Sequence, residues 1–126
     1  SLSRQDLMDG EFAEATTKLA AALRQLYQDS VHETPSDTLL TKIMLGTIGC
    51  TPAYDRYLRW ALRETRVATS TFGIQSLRQL GHFYAVQWER LEPLRAKFSN
   101  HILNYPPMKL LDMCFFQYGL EHSQSI

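Results

Sequence analysis

Four arginines recur at helical spacing in the middle of the sequence. Arg56, Arg59, Arg63 and Arg66 are separated by three, four and three residues. At about 100° per residue, this spacing places them within about 80° of arc on one helix, with Trp60 at the edge. A guanidinium presents a planar fork of donors that fits phosphate or carboxylate oxygens, and an indole offers a surface for stacking. The pattern predicts an anion-binding face.

Three interpretations of this arginine face stay open. It can be the solvated side of an amphipathic helix, a contact for an acidic protein surface, or a contact for nucleic acid. The first interpretation includes neutralisation within the fold, because acidic residues are concentrated near the start of the sequence. Glu11, Glu14 and Asp29 could supply that neutralisation.

The charge balance supports a local basic face and excludes a generally basic protein. Thirteen Lys and Arg balance thirteen Asp and Glu, so the formal net charge is zero. Residues 1–37 carry three basic and seven acidic residues, whereas residues 38–98 carry nine basic and four acidic residues. The zero is therefore a cancellation between segments. It excludes a strongly basic, indiscriminate nucleic-acid binder, but it leaves room for a local anion-binding surface.

Histidine and cysteine do not form a recognisable site. The sequence holds no His-x-x-x-His pair, no Cys-x-x-Cys frame and no Gly-rich phosphate loop, so we expect no metal and no cofactor. Cys50 precedes a predicted helix, but no histidine is fixed beside it as a base, and Cys114 lies among apolar residues. The scattered histidines are His32, His82, His101 and His122.

The spacing of apolar residues predicts five helices. Apolar positions recur at intervals of three and four, and alternating strand patterns are almost absent. The predicted helices cover about residues 9–29, 36–46, 51–65, 74–91 and 108–118. We expect Pro93 to interrupt or restart the fourth helix, with residues 94–98 as a short continuation, and Gly119 to close the fifth.

The arginine-bearing third helix has the clearest predicted start. Thr51 can act as its N-cap, and Pro52 then occupies the first helical position, where a missing N–H has no cost. Gly46 and Gly49 lie just before this point and can end the preceding helix. The prediction is therefore two helices joined by a short glycine-containing turn.

This turn resembles a known nucleic-acid-binding element. The segment Leu45-Gly46-Thr47-Ile48-Gly49-Cys50-Thr51-Pro52-Ala53-Tyr54-Asp55-Arg56 is similar to the helix-hairpin-helix of DNA glycosylase-like proteins, although two residues rather than one separate its glycines. The run Pro52 to Arg56 also resembles a stretch in small helical bacterial proteins. The first resemblance implies a turn whose backbone N–H groups contact a DNA phosphate. It also makes Asp55 the candidate for an acidic active-site residue.

The position of Asp55 near a helix start favours a structural role over catalysis. A carboxylate there interacts favourably with the unpaired N–H groups and the positive end of the helix dipole. No lysine stands where a lyase nucleophile would be expected. We therefore treat Asp55 as a helix-stabilising residue first and as a catalytic candidate second.

Together these features predict an all-α, single-domain orthogonal bundle of about five helices over residues 1–126. Ser1 in place of Met suggests a trimmed chain or a fragment. We expect a cytoplasmic, non-enzymatic binding module with no membrane contact, whose arginine face binds nucleic acid or an acidic protein. The resemblance suggests a setting in bacterial or phage conflict. The alternatives are a DNA glycosylase-like enzyme with Asp55 in its pocket and a structural subunit of a larger assembly.

Overall fold

The chain forms seven α-helices across residues 2–100 and 104–125, which are the residues that the computed structural model describes. The helices are α1 (Arg4–Asp9), α2 (Glu11–Val31), α3 (Asp37–Thr47), α4 (Arg56–Thr65), α5 (Ile74–Val86), α6 (Trp88–Phe98) and α7 (Pro107–Glu121), followed by a 3₁₀ turn at Ser123–Ser125. No strand occurs in these residues. The all-α prediction is confirmed, but these residues form seven α-helices instead of the about five predicted.

The first predicted helix, over residues 9–29, corresponds to α2, and a short helix that was not predicted, α1, precedes it. Ser3 caps α1 in a capping box with Asp6, and Gly10 in the left-handed conformation separates α1 from α2. The helix α2 then continues to Val31, two residues beyond the predicted end, where His32 in the left-handed conformation closes it. The sequence prediction missed α1 because its apolar positions are few and only Leu7 is buried.

The predicted start of the arginine-bearing helix is wrong. Thr51 and Pro52 do not begin a helix; the chain from 51 to 54 is buried and non-helical, and α4 starts at Arg56 after the N-cap Asp55. We call residues 51–55 the buried segment. Its direction is set by Tyr54, whose side chain has no solvent exposure and must reach the core. Burial of this large aromatic side chain outweighs the helix-start signal of a Thr-Pro pair.

The buried segment satisfies its backbone groups through side chains of neighbouring helices. The Tyr54 N–H donates to Thr41 Oγ1 at 2.8 Å, and the Tyr54 carbonyl accepts from Thr38 Oγ1 at 2.8 Å. The Ala53 N–H donates to Asp112 Oδ1 at 2.9 Å. A non-helical chain in a protein interior needs such partners, because an unpaired buried N–H or C=O is costly. These bonds connect α3 and α7 to the residues that precede α4.

The phenol of Tyr54 extends the same hydrogen-bonded system into α5. Ser76 Oγ donates to the carbonyl of Thr69 at 2.7 Å, so the Tyr54 hydroxyl, 2.6 Å away, donates to Ser76 Oγ. Burial raises the pKa of Tyr54, against the opposing effect of Ser76. The ring also packs edge-on against Phe72, with centroids 5.2 Å apart. Tyr54 therefore joins α5 and the segment before it to α4.

Two glycines allow the closest helix contacts. The most extensive helix pairs are α4 with α7 and α1 with α5. A Cβ on Gly119 of α7 would lie 2.9 Å from the carbonyl oxygen of Tyr57, and one on Gly81 of α5 would lie 2.8 Å from that of Leu7. Gly119 lies inside α7 instead of closing it, so the prediction for this residue is wrong. Both glycines bring two helices together.

The main core lies between these helix pairs. It includes residues of α1, α4, α5 and α7 together with Tyr54 and Ala68, and a smaller cluster of Ala20, Leu40 and Met44 joins α2 to α3. Across the described residues, no helix is both long and apolar enough to cross a membrane. The fully buried large side chains of the main core are Leu7, Tyr54, Leu58, Leu62, Leu80, Tyr84, Met108, Leu110 and Leu111.

The fourth predicted helix breaks at Gln87, whereas Pro93 lies inside α6. Gln87 leaves the helical conformation, and its carbonyl accepts the N–H groups of Arg90 and Leu91 to start the new helix. The prediction that Pro93 interrupts the helix is wrong. The turn at Gln87 allows Trp88 to pack edge-on against Tyr84, with centroids 6.0 Å apart.

A half-buried ion pair fixes α6 against α5. Glu92 accepts from the Tyr84 hydroxyl at 2.6 Å and from Arg95 Nε at 2.6 Å. Arg95 also donates to the Tyr105 carbonyl at 2.9 Å. Burial acts to raise the pKa of Glu92, but the hydrogen bonds from Arg95 and Tyr84 together hold it below its ordinary value of 4.5. This network joins α5, α6 and the chain that leads into α7.

Replacing Thr41 by Val should destabilise the fold by about 1–3 kcal/mol, because the buried Tyr54 N–H loses its acceptor. Thr47→Val is the matched control. In the unaltered protein, the hydroxyls of Thr41 and Thr47 each donate to the carbonyl four residues earlier, at 2.7 Å, but Thr47 is exposed and accepts no buried N–H. We expect the control to change stability by no more than about 0.5 kcal/mol. Urea unfolding measures both, and equal effects would contradict the role of Thr41.

The ion pair of Glu92 should make stability depend on acid pH. The pKa of Glu92 is lower in the folded protein than in the unfolded chain. The ion pair therefore contributes fully to the free energy of unfolding above about pH 5, and this contribution is lost as the pH falls through the folded-state pKa. Glu92→Gln should cost about 1–2 kcal/mol at pH 7 and much less at pH 3, by urea unfolding at both pH values. Glu89→Gln, whose exposed pair with Arg4 is 3.2 Å long, should show little change at either pH. The same loss for Glu92→Gln at both pH values would contradict this account.

Candidate anion-binding face

Helix α4 presents its arginines to solvent because its opposite side is buried. Leu58, Ala61 and Leu62 have almost no exposure and pack into the main core. Arg56, Arg59 and Arg63 lie within the helix, whereas Arg66 is the residue that ends it in the left-handed conformation. The described structure therefore contains the predicted amphipathic helix, with three of its four arginines inside it.

Arg59 is held in place by the buried segment. Its Nη2 donates to Thr38 Oγ1 at 2.9 Å, and the same hydroxyl donates to the carbonyl of Tyr54 at 2.8 Å. The hydrogen bond uses one donor of the guanidinium, and the side chain stays half-exposed. Arg59 is therefore oriented by the fold and keeps further donors for a ligand.

Arg63 lies one turn further along the same side of α4. It is exposed and makes no hydrogen bond or ion pair with any residue that the structure describes. Arg59 and Arg63 together line a hollow of about 280 Å³ between α4, the first turn of α3 and the chain at 70–72. The other lining residues are Asp37, Ser70, Thr71 and Phe72.

The hollow combines cationic and hydroxyl donors. Neither the Ser70 nor the Thr71 hydroxyl has a hydrogen-bond partner among the described residues, so both are available to a ligand. The carboxylate of Asp37 also lines the hollow, but one of its oxygens lies 3.0 Å from Arg24 Nη2 in an ion pair. The arrangement can accept an anionic group with several oxygens. Ser70 and Thr71 were missed in the sequence because they follow α4 in a non-helical stretch, where helical spacing gives no signal.

The other two arginines do not join this hollow. Arg56 Nη2 donates to the hydroxyl of Tyr57 at 3.0 Å, and its guanidinium carbon lies 4.9 Å from the centre of that ring. Arg66 is exposed and makes no side-chain bond with a described residue. Arg56 lies at the start of α4 and Arg66 follows its end, so they flank the pair Arg59 and Arg63.

Trp60 is engaged in packing between helices. Its ring stacks on Tyr118, with centroids 5.6 Å apart, and on His122, also at 5.6 Å. Both partners belong to α7 or follow it directly, and Trp60 is half-buried. The indole therefore links α4 to α7 instead of standing free beside the arginines, and we place it outside the candidate site.

The acidic residues of the first part of the chain do not neutralise the arginine face. Glu14 pairs with Arg78 of α5 at 2.9 Å, and Asp29 accepts a hydrogen bond from Gln25. Within the described residues, none of the four arginines forms an ion pair, and Glu11 forms none either. Neutralisation of the arginines by acidic residues of α2, which the charge pattern left open, is absent from the described residues.

Asp55 acts as the N-cap of α4. Its Oδ1 accepts the N–H of Leu58 at 2.9 Å, the bond expected of an aspartate in the cap position. Asp55 therefore satisfies one of the free N–H groups at the helix start, one residue before the first turn. This is the structural role that the sequence favoured, and Asp55 does not line the hollow.

The glycine-containing turn uses its N–H groups within the chain. Gly46 lies inside α3, and the N–H groups of Ile48 and Gly49 both donate to the carbonyl of Met44, at 3.0 and 2.9 Å. These two groups end α3 and are occupied. The resemblance to a helix-hairpin-helix predicts that this turn contacts a phosphate, whereas Arg63, Ser70 and Thr71, which have no partner among the described residues, lie elsewhere, in the hollow beside α4.

Cysteines and histidines do not assemble a reactive centre in the described residues. Burial raises the pKa of the Cys50 thiol, against weaker opposing hydrogen bonds, and burial also raises the pKa of Cys114. No group of three or more His, Cys, Asp or Glu side chains could hold a metal ion there. His82 is exposed, with Nδ1 3.2 Å from the sulfur of Met8, and His101 lies outside the described residues.

Similarity to known proteins gives no guide to the function. Comparisons of the chain with protein-family models, curated proteins and solved structures found no match. The function is therefore inferred from the geometry of the hollow and of the helix that carries its arginines.

Asp55→Ala should destabilise the fold by about 1 kcal/mol, because α4 loses the acceptor at its start. Asp55→Asn keeps a side-chain oxygen in the same position, so we expect a change of no more than about 0.5 kcal/mol. Thermal or urea unfolding of both variants measures the difference. Unchanged stability in Asp55→Ala would contradict the capping role of this carboxylate.

Proposed function

We propose that this all-α protein, with its helices packed at large angles as in an orthogonal bundle, is a non-enzymatic nucleic-acid-binding module. Arg59 and Arg63 contact one backbone phosphate in the hollow beside α4. Arg56 and Arg66 lie at the two ends of the helix and contact neighbouring phosphates. The observation that carries this proposal is that two arginines line the same hollow: Arg59, which Thr38 holds in place, and Arg63, which has no partner among the described residues.

The donor set of the hollow suits a phosphate. Protein contacts to nucleic-acid backbones come from guanidinium groups and from serine and threonine hydroxyls, and the hollow has both. Its one carboxylate, Asp37, is paired with Arg24, which reduces its repulsion of an anion. Anchoring of Arg59 by Thr38 lowers the entropy that the side chain loses on binding. An acidic protein surface offers carboxylates to the same arginines and is the alternative outcome of the test below.

The geometry supports binding to the backbone more than recognition of bases. Trp60 stacks within the fold, so it does not offer a free surface to a base. Phosphate contacts carry no direct sequence information, so we expect little sequence preference. The two free cysteines fit a reducing compartment, and we place the protein in the cytoplasm. A role in bacterial or phage conflict rests on the resemblance of the segment before α4.

The double variant Arg59→Glu plus Arg63→Glu should weaken binding to a fluorescent oligonucleotide at least about tenfold, because two cations at the phosphate become repulsive anions. Arg90→Glu plus Lys97→Glu on α6 changes the net charge equally and is the matched control. We expect the control to bind within about twofold of the unaltered protein, since its charges lie outside the hollow. Fluorescence anisotropy gives both affinities.

Salt dependence tests the same contacts by another route. Affinity should fall as salt rises, and the arginine variant should have a slope smaller by about 2 in a plot of log affinity against log salt. Equal loss of affinity in both charge variants would contradict a specific role for the hollow. No affinity for duplex or single strands, together with salt-dependent binding of a polyglutamate peptide, would replace nucleic acid by an acidic protein as the partner.

A further inference from the structure

Helices α2 and α3 expose an apolar surface that no described part of the chain covers. Three large apolar side chains lie on it, with exposed fractions of 62% for Leu26, 47% for Val31 and 39% for Ile43. Leu39, which is 38% exposed, lies one helical turn before Ile43 and so on the same side of α3. We call these four residues the apolar strip. Side chains of this type are rarely left exposed side by side, and such patches commonly mark an interaction surface.

A groove runs along the strip between the two helices. Its volume is about 270 Å³, and its floor and walls are almost entirely apolar, with Ser30 as the one polar lining residue. Leu26 stands at the edge of this groove as its most exposed member. The surface therefore presents both a recess and a projecting leucine of a size that can enter such a recess. The apolar residues that line the groove are Leu23, Leu26, Tyr27, Val31, Leu40 and Ile43.

The two long edges of the strip carry opposite charges. Helical spacing places Asp29 beside Leu26 on the outer side of α2, and Lys42 beside Leu39 on the outer side of α3. Both are exposed, and neither forms an ion pair with a residue that the structure describes. An acidic edge, an apolar centre and a basic edge make the surface complementary to itself.

We propose that a second copy of this chain covers the apolar strip, in a symmetric dimer formed by the α2–α3 hairpins. A two-fold axis in the interface, parallel to the hairpin, places α2 of one copy against α3 of its partner. The acidic edge of each copy then faces the basic edge of the other, and each Leu26 faces the partner's groove. Isologous contacts of this kind require a self-complementary surface, which the charges and the projecting leucine provide.

The size of the surface sets the strength of the dimer. The helix α3 has 11 residues, so the strip is short and the contact falls in the class of small interfaces, below about 1,200 Å² in total. Such contacts are weak and reversible. We therefore expect a dissociation constant in the micromolar range, with monomers and dimers both present at ordinary working concentrations.

Leu26→Ser should weaken this dimer at least tenfold in sedimentation equilibrium, because the most exposed side chain of the strip is removed. Leu120→Ser is the matched control, since Leu120 is an equally large side chain on α7, 45% exposed and outside the strip. The control should dimerise as the unaltered protein does. Circular dichroism melting of both variants checks that the fold is intact, which the exposed positions favour.

Charge reversal tests whether the partner is a second copy. Asp29→Lys and Lys42→Asp should each weaken the dimer, because like charges then face each other, and the two changes combined should restore it. Restoration supports the proposed arrangement. A monomer at all concentrations up to about 1 mM would overturn the proposal, as would a dimer that neither Leu26→Ser nor the single charge reversals weaken.

Discussion

The fold depends on the need to satisfy a buried, non-helical backbone. Residues 51–55 cross the interior before α4, and a buried N–H or C=O without a partner would cost more than most single contacts contribute. Side chains from α3 and α7 supply the partners: Thr41 and Thr38 bind Tyr54, and Asp112 binds the residue before it. These bonds fix where α4 begins and how it lies against the core.

The same constraint connects the core to the surface. The Thr38 hydroxyl donates a hydrogen bond to the carbonyl of Tyr54 and accepts one from the guanidinium of Arg59. The position of one half-exposed guanidinium is thus set by the chain beneath it. Arg63 has no such anchor and projects beside it into the hollow. A ligand in the hollow would meet one fixed donor and one adaptable donor.

The helical class and the amphipathic character of α4 could be predicted from sequence because both follow from local spacing. The start of α4 could not be predicted from sequence. Thr51-Pro52 is a good local signal for a helix start, but the burial of Tyr54 in the core keeps these residues out of the helix. The roles of Trp60, Ser70 and Thr71 depend on contacts between segments distant in the chain, which spacing does not reveal. The sequence indicated that Asp55 stabilises the start of its helix, but it placed the N-cap at Thr51, whereas Asp55 is itself the N-cap.

The proposed function depends on a few donors in one hollow, although the whole chain has no net charge. The most direct measurement is an NMR titration of the arginine side-chain Nε–H signals with a short phosphate-bearing oligonucleotide at low and moderate salt. We expect the signals of Arg59 and Arg63 to shift together, the shifts to decrease at higher salt, and the Arg90 signal to stay unchanged. Unchanged Arg59 and Arg63 signals, with the oligonucleotide bound elsewhere or not at all, would contradict the proposed function.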